Sequence, residues 1–378
     1  MTPVSSPSPH GRSPLRTVQV LGGGNAGSGV HVRSLSAGLV ARGVKVTVCA
    51  PFEAARAYDF TGAGADHVHV PRSSDPASVA ALRAACADAD LVHAHGLHAS
   101  FRTALALSGK RVPLVVTWHN RAHVEGARAH LLRLLERRAA RAAAVVLGTT
   151  SCLVDVARRT GARDARLAAV ALPRPHRTDD SGDAEERRAK ARAELGAMCR
   201  PLLVTAGALD GHRGYDVLLD ASRAWRRLDP EPLVAVAGEG PLRGEFQSRI
   251  ERERLPVRLL GRRDDITDLL AVADLALLPG SREPRSLLAQ EALHARVPLV
   301  AADSCGIREL VGDAAELVPH GRADALARAV VRLLDDPARR ELLGDRGVRQ
   351  AATWPTEEET IAQVLSVYDE LTQPGPLL

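Results

Sequence analysis

Two glutamates, Glu283 and Glu291, are separated by seven residues in the stretch Ser281-Arg282-Glu283-Pro284-Arg285-Ser286-Leu287-Leu288-Ala289-Gln290-Glu291-Ala292, just after the apolar run 275–278. The pattern predicts a helix over 286–295 that carries Glu291, with Glu283 in the loop before it. Carboxylates accept charge-assisted hydrogen bonds from neutral hydroxyls, and a helix N-terminus offers unpaired N–H groups to an anion. A ligand that uses both is a nucleotide sugar, with hydroxyls on its sugar and its ribose and a diphosphate between them. On spacing alone the alternative is two glutamates on a solvated helix.

The elements that position such a clamp alternate along the chain. Strand candidates at 17–21, 45–50, 91–94, 114–117 and 145–147 are each followed by a helical pattern, the first with Val32, Leu35, Leu39 and Val40 on one stripe. A polar, charge-dense stretch at 173–193 interrupts the pattern, which resumes at 202–205 and runs to about 334. The fold class expected is therefore α/β, two doubly wound Rossmann-like domains facing a central cleft, where the carboxyl ends of parallel strands bind ligands. The run Gly22-Gly23-Gly24-Asn25-Ala26-Gly27-Ser28-Gly29 after the first strand allows close backbone approach to a phosphate, or is a plain strand-to-helix turn. A dinucleotide site would want an acid at the end of the second strand, which instead closes Val48-Cys49-Ala50-Pro51.

The glutamate stretch resembles the E-x7-E signature of retaining glycosyltransferases of the two-domain GT-B type, family 4. Val297-Pro298-Leu299-Val300-Ala301-Ala302-Asp303 and Gly306-Ile307-Arg308-Glu309-Leu310-Val311 continue the likeness, as do Val236-Ala237-Gly238-Glu239-Gly240-Pro241-Leu242 and Leu260-Gly261-Arg262-Arg263-Asp264-Asp265-Ile266 upstream. It covers residues 17–371. The resemblance implies that Glu283 binds hydroxyls of the donor sugar, that backbone N–H groups at Ser286, Leu287 and Leu288 hold the diphosphate, and that Glu291 binds the ribose. It further implies donor contacts from Gly27, Ser28 and Gly29 in the N-terminal loop, and from Gly207, Arg262 and Arg285. His119, in Val115-Val116-Thr117-Trp118-His119-Asn120, matches the family histidine near the donor sugar.

One segment departs from the family pattern. Val204-Thr205-Ala206-Gly207-Ala208-Leu209-Asp210-Gly211-His212-Arg213-Gly214 resembles a segment whose arginine and lysine neutralise the leaving diphosphate, but the lysine position holds Arg213 and the arginine position Ala208. Arginine for lysine keeps a cation, and Lys45, Lys110 and Lys190 are the only lysines in the chain. Ala208 has no such explanation; Arg282, Arg285, Arg262 or Arg263 would have to supply the missing charge.

Histidines cluster at His93, His95 and His98, and at His119 and His123. Imidazole is a common zinc ligand, but the resemblance implies a donor diphosphate held without metal, so neither a metal nor a cofactor is expected. Charge is nearly balanced, with 50 basic and 45 acidic residues spread along the chain, and makes no case for nucleic acid. Five scattered cysteines without a C-x-x-C pair predict reduced thiols in a cytoplasmic protein. A helix over 126–144 sets Leu131, Leu132, Leu134 and Leu135 among five arginines, which reads as a solvent face or as a peripheral contact with the inner face of the membrane.

Trp354-Pro355-Thr356-Glu357-Glu358-Glu359 reads as a break followed by a capped helix start. The expected organisation is a disordered tail at 1–16, an acceptor-side domain at 17–172, a linker at 173–198, a nucleotide-sugar domain at 199–353 and a last helix at 354–372 that crosses back to the first domain. The expected activity is retaining transfer from a nucleotide-diphosphate sugar to a sugar, lipid or small-molecule acceptor. The alternatives are a degenerate binder motivated by Ala208 and, sharing the fold and the donor, a sugar-nucleotide 2-epimerase.

Overall fold

The computed structural model describes residues 14–22, 26–72, 75–120, 127–171, 184–282 and 284–373. The tail expected at 1–16 lies outside them through residue 13, as do His123, most of the glycine run before Ala26, and Glu283 itself.

The first half alternates strand and helix: β1 (Arg16–Leu21), α1 (Ala26–Val40), β2 (Lys45–Ala50), α2 (Phe52–Tyr58), β3 (Asp66–His69), α3 (Pro76–Ala85) and β4 (Leu91–His95). It continues through α4 (Leu97–Ala106), β5 (Leu114–Trp118), α5 (Ala127–Ala142), β6 (Val145–Gly148), α6 (Ser151–Thr160) and β7 (Ala165–Leu167). After α7 (Ala184–Leu195) the second half repeats the scheme with β8 (Leu202–Ala206), α8 (Tyr215–Trp225), β9 (Leu233–Ala237), α9 (Arg243–Glu253), β10 (Val257–Gly261) and α10 (Ile266–Ala271). Then come β11 (Leu275–Leu278), α11 (Leu287–His294), β12 (Leu299–Ala302), α12 (Cys305–Val311), β13 (Ala315–Val318), α13 (Ala323–Asp335), α14 (Pro337–Ala351) and α15 (Glu357–Thr372).

The strands form two parallel sheets, in the orders β3-β2-β1-β4-β5-β6-β7 and β10-β9-β8-β11-β12-β13. Strands such as Leu-Val-Val-Thr-Trp in β5 are buried along their whole length because helices cover both faces. Each sheet reverses its strand order once, between β1 and β4 and between β8 and β11, and crevices open there at the carboxyl edge. Leu21 and His95 pair across the first of these switch points.

The two carboxyl edges face each other. Ser151, at the start of α6, donates from its backbone N–H and its hydroxyl to Glu309 of α12, at 2.9 and 2.8 Å. Beside them Cys152 and Cys305 are joined in a disulfide, with Cα atoms 6.6 Å apart. This corrects the expectation of reduced thiols throughout. Scatter in sequence hid a pair 153 positions apart that the packing of α6 on α12 brings together, while Cys49, Cys86 and Cys199 are free.

Helix α15 starts at the capping box that its spacing predicts: Thr356 Oγ1 accepts from Glu359 N–H, and Glu359 accepts from Thr356 N–H. It packs on α1, with Ile361, Val364, Val367 and Tyr368 sharing a core with Leu35, Leu39 and Leu147. Each buried aliphatic side chain there contributes roughly 1.5–3 kcal/mol.

Candidate active site

The first sheet presents four histidine rings near its switch point. His93 lies in the middle of β4 and His95 ends it, His119 follows β5, and His31 comes from α1. His31, His93 and His95 are buried, and His119 is half-buried. A hydrogen-bond chain orders them. Gln19 Nε2 donates to the Tyr368 hydroxyl at 2.9 Å, so that hydroxyl donates to Nδ1 of His93 at 2.8 Å. His93 Nε2–H is left to donate to Thr117 Oγ1 at 2.7 Å. Gln19 Oε1 only accepts, so His95 donates to it from Nε2 at 3.0 Å and turns the lone pair of Nδ1 toward His119 Nε2, 3.5 Å away.

Burial keeps these imidazoles neutral. It pushes His31 down to about 4 and His93 to about 3, with Arg285 adding to the effect on His31. Burial also holds His95 and His119 well below the ordinary histidine range, and neighbouring rings act in the same direction.

In the second sheet, the carboxyl end of β8 passes into Gly207. A Cβ there would lie 3.1 Å from the Tyr215 hydroxyl and 3.2 Å from Arg213 Nη1, so glycine brings backbone close to the guanidinium. Arg213 and Arg282 line one small pocket with Thr205, His212, Tyr215 and Gly280. Ala208 is exposed beside it. Arg262 is also exposed and pairs with Asp264 at 3.6 Å, and its charge acts across the cleft on Tyr58.

Ser286 caps α11, its hydroxyl accepting from Ala289 N–H. Helix geometry leaves the N–H groups of Leu287 and Leu288 without intrahelical acceptors. The Leu288 side chain goes to the core, so only its backbone is available to a ligand. Glu291 is half-buried, and its Oε2 is buried with no hydrogen-bond partner. Loss of water pushes its carboxyl above the usual range.

The remaining candidates fall elsewhere. Arg285 turns toward the histidines, donating from Nη2 to Val170 O at 2.8 Å while its buried Nε has no partner. Glu309 opposes the desolvation of that guanidinium. Gly27, Ser28 and Gly29 lie in the first turn of α1 rather than in a loop before it. A Cβ on Gly29 would come within 2.2 Å of the Tyr58 ring, so this glycine serves packing. Sequence reasoning passed over His31, Gln19 and Tyr368, which belong to no motif. A cavity of about 500 Å³ lined by Lys110, Leu134, Arg137, Arg138 and Arg141 lies at the start of β5, the edge opposite the cleft. Among the described residues no helix is long and apolar enough to cross a membrane.

Comparison with known proteins places these observations in a family. Residues 26–173 match the family described as "Glycosyl transferase 4-like domain", and residues 187–350 match "Glycosyl transferases group 1". The chain is 29% identical over 282 residues to the alpha-D-kanosaminyltransferase of Streptomyces kanamyceticus, covering 69% of this chain and 71% of that one. It is 30% identical over 308 residues to the D-inositol 3-phosphate glycosyltransferase of Salinispora arenicola, covering 74% and 68%. The crystal structure of Anabaena HepE in complex with UDP-glucose superposes with a TM-score of 0.79 at 19% identity, over 94% of this chain and all of that one, and shows the same fold.

Proposed function

Because this chain belongs to the group 1, family 4-like glycosyltransferases and has the GT-B fold, we propose that it transfers a sugar from a nucleotide-diphosphate donor with retention of anomeric configuration. The observation that carries this reading is Glu291 Oε2, a desolvated acceptor without a donor beside an N-terminal turn with free N–H groups. Leaving such an atom unpaired costs about 1–3 kcal/mol, and ribose hydroxyls would satisfy it. The diphosphate then lies against Leu287 and Leu288 N–H, with Arg213 and Arg282 balancing the charge that grows as it leaves. Glu283 binds hydroxyls of the donor sugar, and His119 faces that sugar from the first domain.

The transition state is oxocarbenium-like. The departing phosphate oxygen takes the proton of the acceptor hydroxyl as that hydroxyl attacks the same face, so the step needs no protein nucleophile. In this reading the second domain holds the donor and the first the acceptor. The UDP-glucose bound by Anabaena HepE supports the donor class, the name of the kanosaminyltransferase supports transfer of a sugar, and the name of the D-inositol 3-phosphate glycosyltransferase supports a cyclitol as acceptor.

A thermal-shift screen across nucleotide-diphosphate sugars tests the reading, because a ligand of the folded state raises the midpoint by mass action. One donor should stand out, and the shift should vanish in Glu291→Ala. No shift with any donor would count against it. Exposed Ala208 motivates a second reading, a binder without transfer, which predicts the shift but no turnover.

A further inference from the structure

Three imidazoles meet where α1 lies over the carboxyl ends of β4 and β5. Ring centroids are 5.6 Å apart for His31 and His95, 5.2 Å for His31 and His119, and 5.7 Å for His95 and His119. One ligand atom from each lies within 4.8 Å of the other two. Ordinary core packing does not account for their polar atoms. His31 Nδ1 is buried without a hydrogen-bond partner, and the 3.5 Å between His95 Nδ1 and His119 Nε2 is long for a hydrogen bond.

We propose that His31, His95 and His119 form a binding site for one divalent transition-metal ion, zinc in particular. Two nitrogens each ~2.0–2.1 Å from a tetrahedral zinc are ~3.3–3.4 Å apart, close to the spacing of His95 and His119. His31 has to swing by roughly 1–1.5 Å to complete the set. The hydrogen bond from His95 Nε2 to Gln19 Oε1 fixes that ring with Nδ1 toward the ion, which is how ligating histidines are oriented by their outer partners. Three imidazole nitrogens with no carboxylate among them favour Zn²⁺, Co²⁺, Ni²⁺ or Cu²⁺ over Mg²⁺ or Ca²⁺. Three protein ligands leave a fourth position for water or an anion, and the positive charge of neighbouring Arg285 favours the anion.

The test uses the chelator-treated, tag-free full chain titrated with Co²⁺ and then with Zn²⁺, with binding as the readout rather than turnover. One Co²⁺ should bind with the visible bands of tetrahedral cobalt and without the near-ultraviolet bands of thiolate ligation, and Zn²⁺ should displace it. His31→Gln and His119→Asn should each weaken binding by roughly tenfold or more. Should either variant fail to fold, the proton spectrum of the Co²⁺-loaded wild type decides, since it should show paramagnetically shifted signals from three imidazoles. Absence of stoichiometric binding, thiolate bands, unchanged affinity in both folded variants, or fewer than three shifted imidazoles would each overturn the assignment.

Discussion

The hydroxyl of Tyr368, on the last helix, lies 2.8 Å from Nδ1 of His93, on the fourth strand of the first sheet. The same oxygen accepts from Gln19, and Gln19 in turn accepts from His95. The end of the chain is thereby wired to the histidines at the cleft.

Tyr368→Phe removes that oxygen and leaves Gln19 Nε2 and His93 Nδ1 buried without partners. Each group left so costs about 1–3 kcal/mol, and urea unfolding should show a loss in that range per group. Unchanged stability would mean the chain of hydrogen bonds contributes nothing.

Much of this architecture is legible in the sequence because central parallel strands must be apolar runs, as in Lys45–Ala50 and Leu275–Leu278. The edge strands are not. Asp66–His69 reads Asp-His-Val-His and is largely solvated, and Ala165–Leu167 is three residues long, so neither carries a period to detect. At the site, glutamates near a helix start are visible locally. The meeting of His31 with His95 and His119, and of Cys152 with Cys305, depends on which strands neighbour and which helices pack, and no local pattern encodes that.

The pH dependence of donor binding should report Glu291. Burial raises its folded pKa, so as pH falls through that value the native state takes up a proton before the unfolded chain does, and this group adds stability. Donor binding runs the other way, since ribose hydroxyls donate more strongly to the carboxylate than to the acid. The KM for donor should therefore rise on acidification at pH values above the ordinary carboxylate range. Glu291→Gln should flatten that limb and raise KM by roughly 10- to 150-fold, the equivalent of a hydrogen bond to a charged group. A wild-type profile identical to that of Glu291→Gln would remove the carboxylate from the donor site.

Arg213 and Arg282 line one pocket beside Ala208. Loss of a cation that acts mainly in the transition state lowers kcat with little change in KM. Arg213→Ala and Arg282→Ala should each reduce kcat by roughly 100- to 1000-fold, whereas Arg262→Ala should act weakly. If turnover survives both of the first two replacements, neither arginine has taken over the missing charge.

Three thiols should react under denaturing conditions without reductant, and five after reduction, since only Cys49, Cys86 and Cys199 are free. A peptide map without reductant should contain Cys152 linked to Cys305. Five reactive thiols at the outset would show the two domains joined by packing and hydrogen bonds alone.

The most direct measurement is the anomeric proton spectrum of the product formed from the donor that the thermal-shift screen selects. It should be recorded with wild type and with Glu283→Ala, using sugar and cyclitol acceptors. Wild type should give a glycoside with the donor's anomeric configuration, and Glu283→Ala should give none while unfolding at nearly the wild-type temperature. A product of opposite configuration, or turnover by Glu283→Ala within a fewfold of wild type, would contradict retaining transfer through this carboxylate clamp.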